Sequence, residues 1–280
     1  MSDDLDPRAD ALLYAAARAH HVARVIGPAL ERGGWVVCAR FIDSSLRSLR
    51  AQDYPNLEIV VSDNASTDET LEICQRHAAE DPRIRILRAE RNVGVTPNFQ
   101  KTLDGSQGKY FMWAAGHDLW TPNLVSECVR LLEAHPGASV AFGSCTWIDG
   151  DGQPYPRHSG WTDTRGMGPI ARMATIFWGN MHPVVGVIRG DVLRSLPPIS
   201  NFAGGDLVLL ADLVLRGDFV HASQATWSRR EFRHETHHDD KLRRYASADS
   251  GITRSLLWRV FPLLRLPLAL LGAVKRAGLP

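Results

Sequence analysis

Short apolar runs alternate with helix-like patterns along the first half of the chain. Residues 59–61, Ile-Val-Val, form a β-branched run of the length that a buried strand prefers. Residues 41–52 instead repeat apolar side chains, among them Leu46 and Leu49, on one face of a helix. The pattern predicts strands at 35–39, 59–61, 83–87, 109–115, 139–147, 183–189 and 219–222, and helices at 7–30, 41–52, 67–79, 96–108, 120–135, 166–178, 206–217 and 255–275.

Polar side chains follow two of the predicted strands. Asp63 and Asn64 come directly after one strand, and His117 and Asp118 follow another. Because helices and strands alternate with short links, we expect an α/β fold with a largely parallel sheet covered on both faces. Ligands of such sheets bind at the carboxyl ends of the strands, so the two polar ends predict a binding crevice. The alternative for Asp63 and Asn64 is an Asx-turn that only caps the next helix.

The rhythm of strands and helices changes after Asp149. The next twenty residues are rich in Gly, Pro and polar side chains and predict a long connection. We therefore expect a helical extension at 1–34, one α/β domain at 35–238 whose halves meet near residue 149, and a helical tail at 239–280.

Composition excludes several classes of protein. The 280 residues carry 32 basic and 31 acidic side chains, so the chain lacks the basic excess of a nucleic-acid binder. Its four cysteines have neither disulfide-framework nor zinc-finger spacing, which favours a reducing, cytoplasmic environment. The acidic start is not a secretory signal, and no apolar run is long enough to span a membrane.

The C-terminal tail is strongly apolar and basic. Residues 255–276 combine Leu, Trp, Val and Phe with Arg259 and Arg265, and the segment ends in Lys275 and Arg276. Apolar residues surround the two interior arginines on nearly all faces, which favours a helix lying in a membrane interface. The alternative is a helix packed on the domain with its arginines in solvent.

Several segments together resemble family 2 of the inverting, nucleotide-sugar-dependent glycosyltransferases, which have the GT-A fold. Their order and spacing make the resemblance specific, and it covers roughly residues 39–238. The matching segments are 39–46, 49–70 with Ser-Asp-Asn-Ala-Ser at 62–66, Arg-Asn-Val-Gly at 91–94, Gly-Lys-Tyr at 108–110, Gly-His-Asp-Leu-Trp-Thr-Pro at 116–122 and Gly-Asp-Leu-Val-Leu-Leu at 205–210.

The resemblance implies a division of labour between the two halves. Residues 35–148 would bind the nucleotide and 149–238 the acceptor, a glycan or lipid-linked hydroxyl. Asp118 corresponds to the ligand of a divalent metal, Mn²⁺ or Mg²⁺, with His238 as a second candidate ligand. Asp206 corresponds to the general base. The residues implied to contact the nucleotide sugar are Asp63, Asn64, Asn92, His117 and Arg230.

The implied chemistry agrees with the charges involved. A hard divalent cation that neutralises a leaving diphosphate prefers carboxylate oxygens. A second carboxylate must accept the proton of the attacking hydroxyl. Taken by itself, Asp206 also fits an ordinary acid in the first turn of a helix, where the helix dipole favours it.

The chain departs from the family pattern at two places. His117 stands where the family usually has an acid, and a neutral imidazole supplies no negative charge. The loop expected after the first strand is several residues short, because residues 37–39 pass directly into Arg40 and Phe41. A family member with impaired catalysis that binds a nucleotide or a partner is therefore the main alternative function.

A histidine-rich segment offers a third function. His234-Glu235-Thr236-His237-His238 has the spacing of a zinc-hydrolase helix, in which His234 and His238 would hold zinc and Glu235 would act as base. Short patterns of this kind arise by chance. The competing interpretations are a basic segment closing over the diphosphate and a solvated charged loop.

Overall fold

The computed structural model of the protein describes residues 41–160, 162–179, 183–202, 204–231 and 265–278. In these ranges the helices are α1 (Ile42–Arg50), α2 (Thr70–Glu80), α3 (Val95–Asp104), α4 (Leu124–Ala134), α5 (Pro169–Trp178), α6 (Gly190–Arg194), α7 (Gly205–Arg216) and α8 (Arg265–Arg276). The strands are β1 (Ile59–Asp63), β2 (Ile84–Arg88), β3 (Tyr110–Phe111), β4 (Leu119–Trp120), β5 (Ala138–Ile148), β6 (Val187–Arg189) and β7 (Asp218–Arg230).

The described strands form two sheets. β1 and β2 pair in parallel, with Ile59 opposite Ile84 and Asp63 opposite Arg88. The other five form a mixed sheet in the order β3-β6-β5-β7-β4. The two long strands, β5 and β7, run parallel, whereas β6 is antiparallel to β3 and β5, and β4 is antiparallel to β7.

The α/β architecture is as predicted, but the expectation of a largely parallel sheet needs correction. It holds for β1 with β2 and for β5 with β7, while the other three pairings are antiparallel. A short strand buried between two layers of helices has the same apolar pattern whether it pairs in parallel or antiparallel, because periodicity depends on burial and carries no information on strand direction.

Helices cover both faces of the mixed sheet. On one face Leu209 and Leu213 of α7 pack in a cluster with Val140, Phe142 and Phe219. On the other face the buried side of α4 packs against the same two long strands, in a cluster that contains Leu124, Leu132, Ala141, Val220 and Trp227. Because these strands are buried on both faces, their sequences are nearly continuous apolar runs.

The C-terminal helix α8 lies along α7. Arg276 at its end donates to both carboxylate oxygens of buried Asp212, at 3.1 Å and 2.6 Å. Leu266 at its start lies against Gly204, which precedes α7 and has φ +94°. The start of α8 therefore lies beside the start of α7, and the end of α8 lies about two-thirds of the way along α7. The two helices thus run parallel.

Element boundaries differ from the prediction mainly in the second half of the chain. The strand predicted at 109–115 is only Tyr110–Phe111, and the strand predicted at 219–222 extends over Asp218–Arg230. Helix α6 was not predicted. The whole extension at 1–34, with its helix at 7–30, lies outside the described residues, as does the strand at 35–39. Of the tail at 239–280, the structure describes only residues 265–278.

Within the described ranges, no helix has both the length and the apolar character needed to cross a bilayer.

Candidate functional site

Asp63 ends β1 with a carboxylate that is only partly satisfied. The residue is 3% exposed. One oxygen accepts the Ser66 backbone N–H at 3.2 Å, whereas the other is buried without a hydrogen-bond partner. The Nε of Arg88 is 3.9 Å from that second oxygen. Leaving a buried acceptor unpaired costs about 1–3 kcal/mol, so this oxygen is suited to receive a donor from a ligand.

A cavity of about 470 Å³ lies beside Asp63. Two of the residues in its wall, Ser66 and Arg88, are those that contact the Asp63 carboxylate. The volume falls within the range of small-molecule sites in proteins, roughly 300–1,000 Å³. The cavity wall is formed by Ala65, Ser66, Thr67, Arg88, Ala89 and Glu90.

Asn64 and Asn92, which were both predicted to contact the nucleotide sugar, lie together. The Asn64 amide donates to Asn92 Oδ1 at 3.0 Å and to the Gly94 carbonyl at 3.2 Å. The backbone N–H of Val93 donates back to Asn64 Oδ1 at 2.9 Å. Asn64 thus fixes the loop at 92–94 against the end of β1, a role that the sequence pattern does not reveal.

A second group of predicted residues lies together at the carboxyl end of β7. Asp118 is 2% exposed and accepts two N–H groups, from Trp227 Nε1 at 2.9 Å and from the Arg230 backbone at 3.0 Å. His117 Nε2 is 3.5 Å from Asp118 Oδ1. Ser45 of α1 donates to the Asp118 carbonyl at 2.8 Å. His117, Asp118 and Arg230 therefore form one cluster, and their predicted roles in binding a metal and a nucleotide sugar stay predictions.

Burial dominates the electrostatics of Asp118. Removal from water raises the pKa of this carboxyl, while the two N–H groups and the charges of Arg229 and Arg230 oppose the shift without cancelling it. The carboxylate is thus held in one orientation at an energetic cost. A buried acid kept in this way is a candidate functional group.

The fit to a divalent metal rests on His117 and Asp118. In the described part of the chain, no three His, Cys, Asp or Glu side chains converge as a metal site. Mg²⁺ and Mn²⁺ are often held by one or two protein ligands plus substrate phosphates and water. The imidazole nitrogen and carboxylate oxygen, 3.5 Å apart, fit that arrangement and no closed protein cage.

The Arg230 side chain links the His117–Asp118 turn to the segment that follows β5. It donates to the carbonyls of His117 and Asp149, both at 3.0 Å, and its guanidinium carbon is 4.5 Å from the centre of the Phe41 ring. The Arg230 side chain therefore holds the His117–Asp118 turn in place. Its predicted contact with a diphosphate stays a prediction.

Asp206 lies in the first turn of α7 and is exposed. The left-handed Gly204 precedes it, and the Gly205 backbone approaches Ser200 so closely that a Cβ at this position would collide with the Ser200 carbonyl oxygen. Both glycines are thus required by the tight entry into the helix. His238, together with His234 and Glu235 of the zinc pattern, lies outside the described residues.

One polar pair in this region was not predicted from the sequence. Ser144 Oγ of β5 is 3.0 Å from His221 Nε2 of β7. Both strands were predicted to be buried and apolar, and only the alternation Phe-Gly-Ser-Cys-Thr within β5 indicates that one face becomes polar. The register of β7, which shifts after Gly143, could not be read from the sequence.

Comparison with known proteins identifies related sequences and related folds. The Glycosyl transferase family 2 model matches residues 35–190. Among solved structures, S. aureus TarS 1-349 has a TM-score of 0.56 at 16% identity and covers 85% of this chain and 78% of its own. Mannosyltransferase PcManGT from Pyrobaculum calidifontis, in complex with GDP-Man and Mn²⁺, has a TM-score of 0.53 at 18% identity. That match covers 86% of this chain and 71% of the mannosyltransferase chain. These likenesses show the GT-A fold.

Sequence relatives cover shorter stretches. An uncharacterized glycosyltransferase of Haemophilus influenzae is 29% identical over 176 residues, 59% of this chain and 54% of that one. An uncharacterized protein of Mycobacterium bovis is 34% identical over 116 residues, 40% of this chain, and the match spans only 33% of that relative's length.

The N-terminal part has a different similarity. A Thymidylate kinase model matches residues 1–51. The thymidylate kinase of Rhizorhabdus wittichii is 64% identical over 45 residues, which are 16% of this chain and 22% of that enzyme. Residues 35–51 are common to this match and to the match with family 2.

Proposed function

Since this chain belongs to glycosyl transferase family 2 and is a glycosyltransferase, we propose that it moves a sugar from a nucleotide-diphosphate donor to a hydroxyl of a glycan or lipid-linked acceptor, with inversion at the anomeric carbon. The observation that carries the proposal is the buried, unpaired carboxylate oxygen of Asp63 beside a cavity at the end of β1. A nucleobase N–H is a suitable donor to it. TarS complexed with UDP-GlcNAc has the same fold and supports a nucleotide sugar as the ligand.

The proposed roles follow from the chemistry of each group. Asp63 accepts a hydrogen bond from the base, and Asn64 with Asn92 holds the adjoining loop. Asp206, exposed at the start of α7, accepts the proton of the acceptor hydroxyl. His117 and Asp118 would hold a divalent cation, which when bound offsets the charge of the leaving diphosphate.

We place the reaction in the cytoplasm, at the inner face of the membrane. The support is on α8, where Leu268 is 60% exposed and Leu271 is 57% exposed, with Lys275 exposed beyond them. Exposed leucines followed by a basic residue fit the surface of an anionic bilayer. Such a contact would bring a lipid-linked acceptor to the enzyme.

Nucleotide binding to wild type and Asp63→Asn tests the proposal. Asparagine keeps the size of the side chain but removes its charge, and hydrogen bonds to charged groups are worth about 1.5–3 kcal/mol. We therefore expect wild type to bind UDP, GDP or dTDP in the presence of Mn²⁺, and the variant to bind the same nucleotide about 10- to 100-fold more weakly. Isothermal titration calorimetry measures both.

Asp104→Asn is the matched control, because Asp104 is an exposed carboxylate at the end of α3. It should bind as wild type does. Equal affinity of wild type and Asp63→Asn, or no binding of any nucleotide by wild type, would overturn the proposal.

A further inference from the structure

The central strand of the mixed sheet exposes polar side chains at its carboxyl end. β5 is third of five strands, yet Thr146 is exposed and Ser144 is half-buried. His221 and Ser228 on the neighbouring β7 are half-buried as well. Central strands between helix layers are normally buried on both faces. Among the described residues, one face of the sheet is therefore partly exposed at this end, which we call its open part.

The four side chains form two hydrogen-bonded pairs on that open face. Ser144 Oγ is 3.0 Å from His221 Nε2, and Thr146 Oγ1 is 3.1 Å from Ser228 Oγ. Ser144 and Thr146 are two residues apart on β5 and so point to the same side. We name these four residues, Ser144, Thr146, His221 and Ser228, the polar ladder.

Helix α7 covers the same face on the side nearer the start of β5. Ser139 Oγ donates to the Leu213 carbonyl at 3.0 Å, which fixes the level of the helix against the strand. From Leu213 back to Asp206 the helix rises about 10 Å, which equals about three residues of strand. The helix therefore begins near the level of Phe142, and Asp206 stands at the edge of the open part of the sheet.

The position of His221 is firmly held. Its backbone N–H donates to Asp163 Oδ2 at 3.2 Å, and its ring lies 5.4 Å from that of Phe142. Burial lowers the pKa of His221, and the charge of Asp163 acts in the opposite direction without reversing the shift. At pH 7 the imidazole is therefore neutral, with one donating and one accepting nitrogen.

From this geometry we infer that the polar ladder is a subsite for a sugar ring, in which Ser144, Thr146 and Ser228 together with His221 hydrogen-bond the sugar hydroxyls. This inference deepens the proposed function and rests on it. Serine and threonine hydroxyls and a neutral imidazole each donate and accept, as sugar hydroxyls do, so each ladder bond can be exchanged for a bond to the ligand. Asp206 at the edge would then lie near the bound ring.

A sugar at this subsite has two sources, the donor and the acceptor. Both present the same chemistry, an uncharged ring with neighbouring hydroxyls. They differ in what else must be bound: a donor sugar arrives joined to its nucleotide, while an acceptor sugar binds separately. Affinity for nucleotide sugars, compared with affinity for nucleotides alone, therefore separates the two.

The test uses the whole chain with His221→Phe and Thr146→Val. Phenylalanine retains the contact with Phe142 but forms no hydrogen bond, and valine keeps the β-branched shape of an exposed strand residue. His221→Gln retains a donor and an acceptor and should recover most of the loss. His135→Phe is the control, because His135 precedes β5 at the opposite end of the strand. Thermal melting verifies that each variant folds.

Affinities for UDP, UDP-GlcNAc, GDP and GDP-Man are measured with Mn²⁺ present, and the ring signals of ¹⁵N-labelled His221 are followed by NMR. If the ladder holds the donor sugar, His221→Phe and Thr146→Val weaken nucleotide-sugar binding about 3- to 10-fold and leave nucleotide binding unchanged. If it holds the acceptor sugar, free GlcNAc or mannose at tens of millimolar shifts the His221 signals. Either result supports the subsite.

The subsite is overturned if no nucleotide sugar and neither free sugar moves the His221 signals, and if the folded variants bind every nucleotide sugar as wild type does. Failure of the proposed function is a separate result, namely the absence of binding of any nucleotide by wild type. In that case the response of His221 to free GlcNAc and mannose alone decides whether the ladder binds sugar.

Discussion

At the scale of single residues, the candidate site depends on carboxylates that differ in how fully they are paired. Asp63 keeps one buried oxygen without a hydrogen bond, whereas both oxygens of Asp118 accept N–H groups. The sequence identified both residues because each follows a strand in a segment that resembles the family. It could not show this difference, because Trp227 and Arg230 are more than a hundred positions from Asp118 along the chain.

Asp118→Asn should therefore reduce stability as well as activity. The amide can accept at only one atom, so one of the N–H groups of Trp227 and Arg230 would face an NH₂ group. We expect a loss of about 1–3 kcal/mol in the free energy of unfolding, measured by urea denaturation. Asp149→Asn, which leaves intact the backbone carbonyl that Arg230 uses, is the control. A variant as stable as wild type would show that these hydrogen bonds contribute nothing.

His117→Asp examines the metal at the same turn without disturbing those two hydrogen bonds. A second carboxylate adds charge beside Asp118, and ligand charge tunes divalent-cation affinity. We expect the Mn²⁺ concentration needed for half-maximal nucleotide binding to fall roughly tenfold. If the requirement for Mn²⁺ is unchanged, His117 does not contact the ion.

At the scale of elements, most helices and the long strand β5 were predictable, whereas the full length of β7 and the assembly of the mixed sheet were not. The runs at β1, β2 and β5 are strongly apolar, and α4 and α7 repeat apolar residues at helical spacing. β7 escaped full prediction because its register against β5 shifts at 143–144, which interrupts the alternation of buried and exposed positions. Strand direction depends on tertiary pairing, about which periodicity carries no information.

The pairing of α8 with α7 gives a prediction at this scale. Arg276→Met removes the two hydrogen bonds to Asp212 and leaves that buried carboxylate with Arg216 alone. We expect a loss of about 1–3 kcal/mol in the free energy of unfolding, because a buried acceptor loses part of its pairing. Lys275→Met changes the exposed neighbour on the same helix and should be neutral. Equal melting temperatures for the two variants would contradict a docked α8.

At the scale of the whole molecule, the family 2 model accounts for residues 35–190, and both departures from the family pattern lie within a second match. The predicted helical extension and the short first loop fall within residues 1–51, which match a thymidylate kinase model. The departure from the family pattern was visible in the sequence, but neither charge nor periodicity relates residues 1–51 to a second family. The 45 aligned residues represent 22% of the length of that kinase, which is too little to propose a kinase site.

The parallel pairing of β5 with β7 is also a property of the whole molecule. Asp118 contacts the last residue of β7, at the carboxyl end of these two strands, and the convergence of Asp206 on the same end stays a prediction. The sequence supplied the residues and their order. The common end of the sheet follows from the parallel pairing of β5 with β7, one of the two parallel pairings that the alternation of elements correctly indicated.

The measurement that tests the central claim most directly is the release of nucleoside diphosphate from UDP-GlcNAc and GDP-Man, with Mn²⁺, by wild type and Asp206→Asn. Removing a general base typically costs 10²- to 10⁴-fold in rate, so we predict that wild type hydrolyses one of these donors and that Asp206→Asn is at least about 100-fold slower while binding the donor equally well. Equal rates for the two proteins would contradict a base at Asp206.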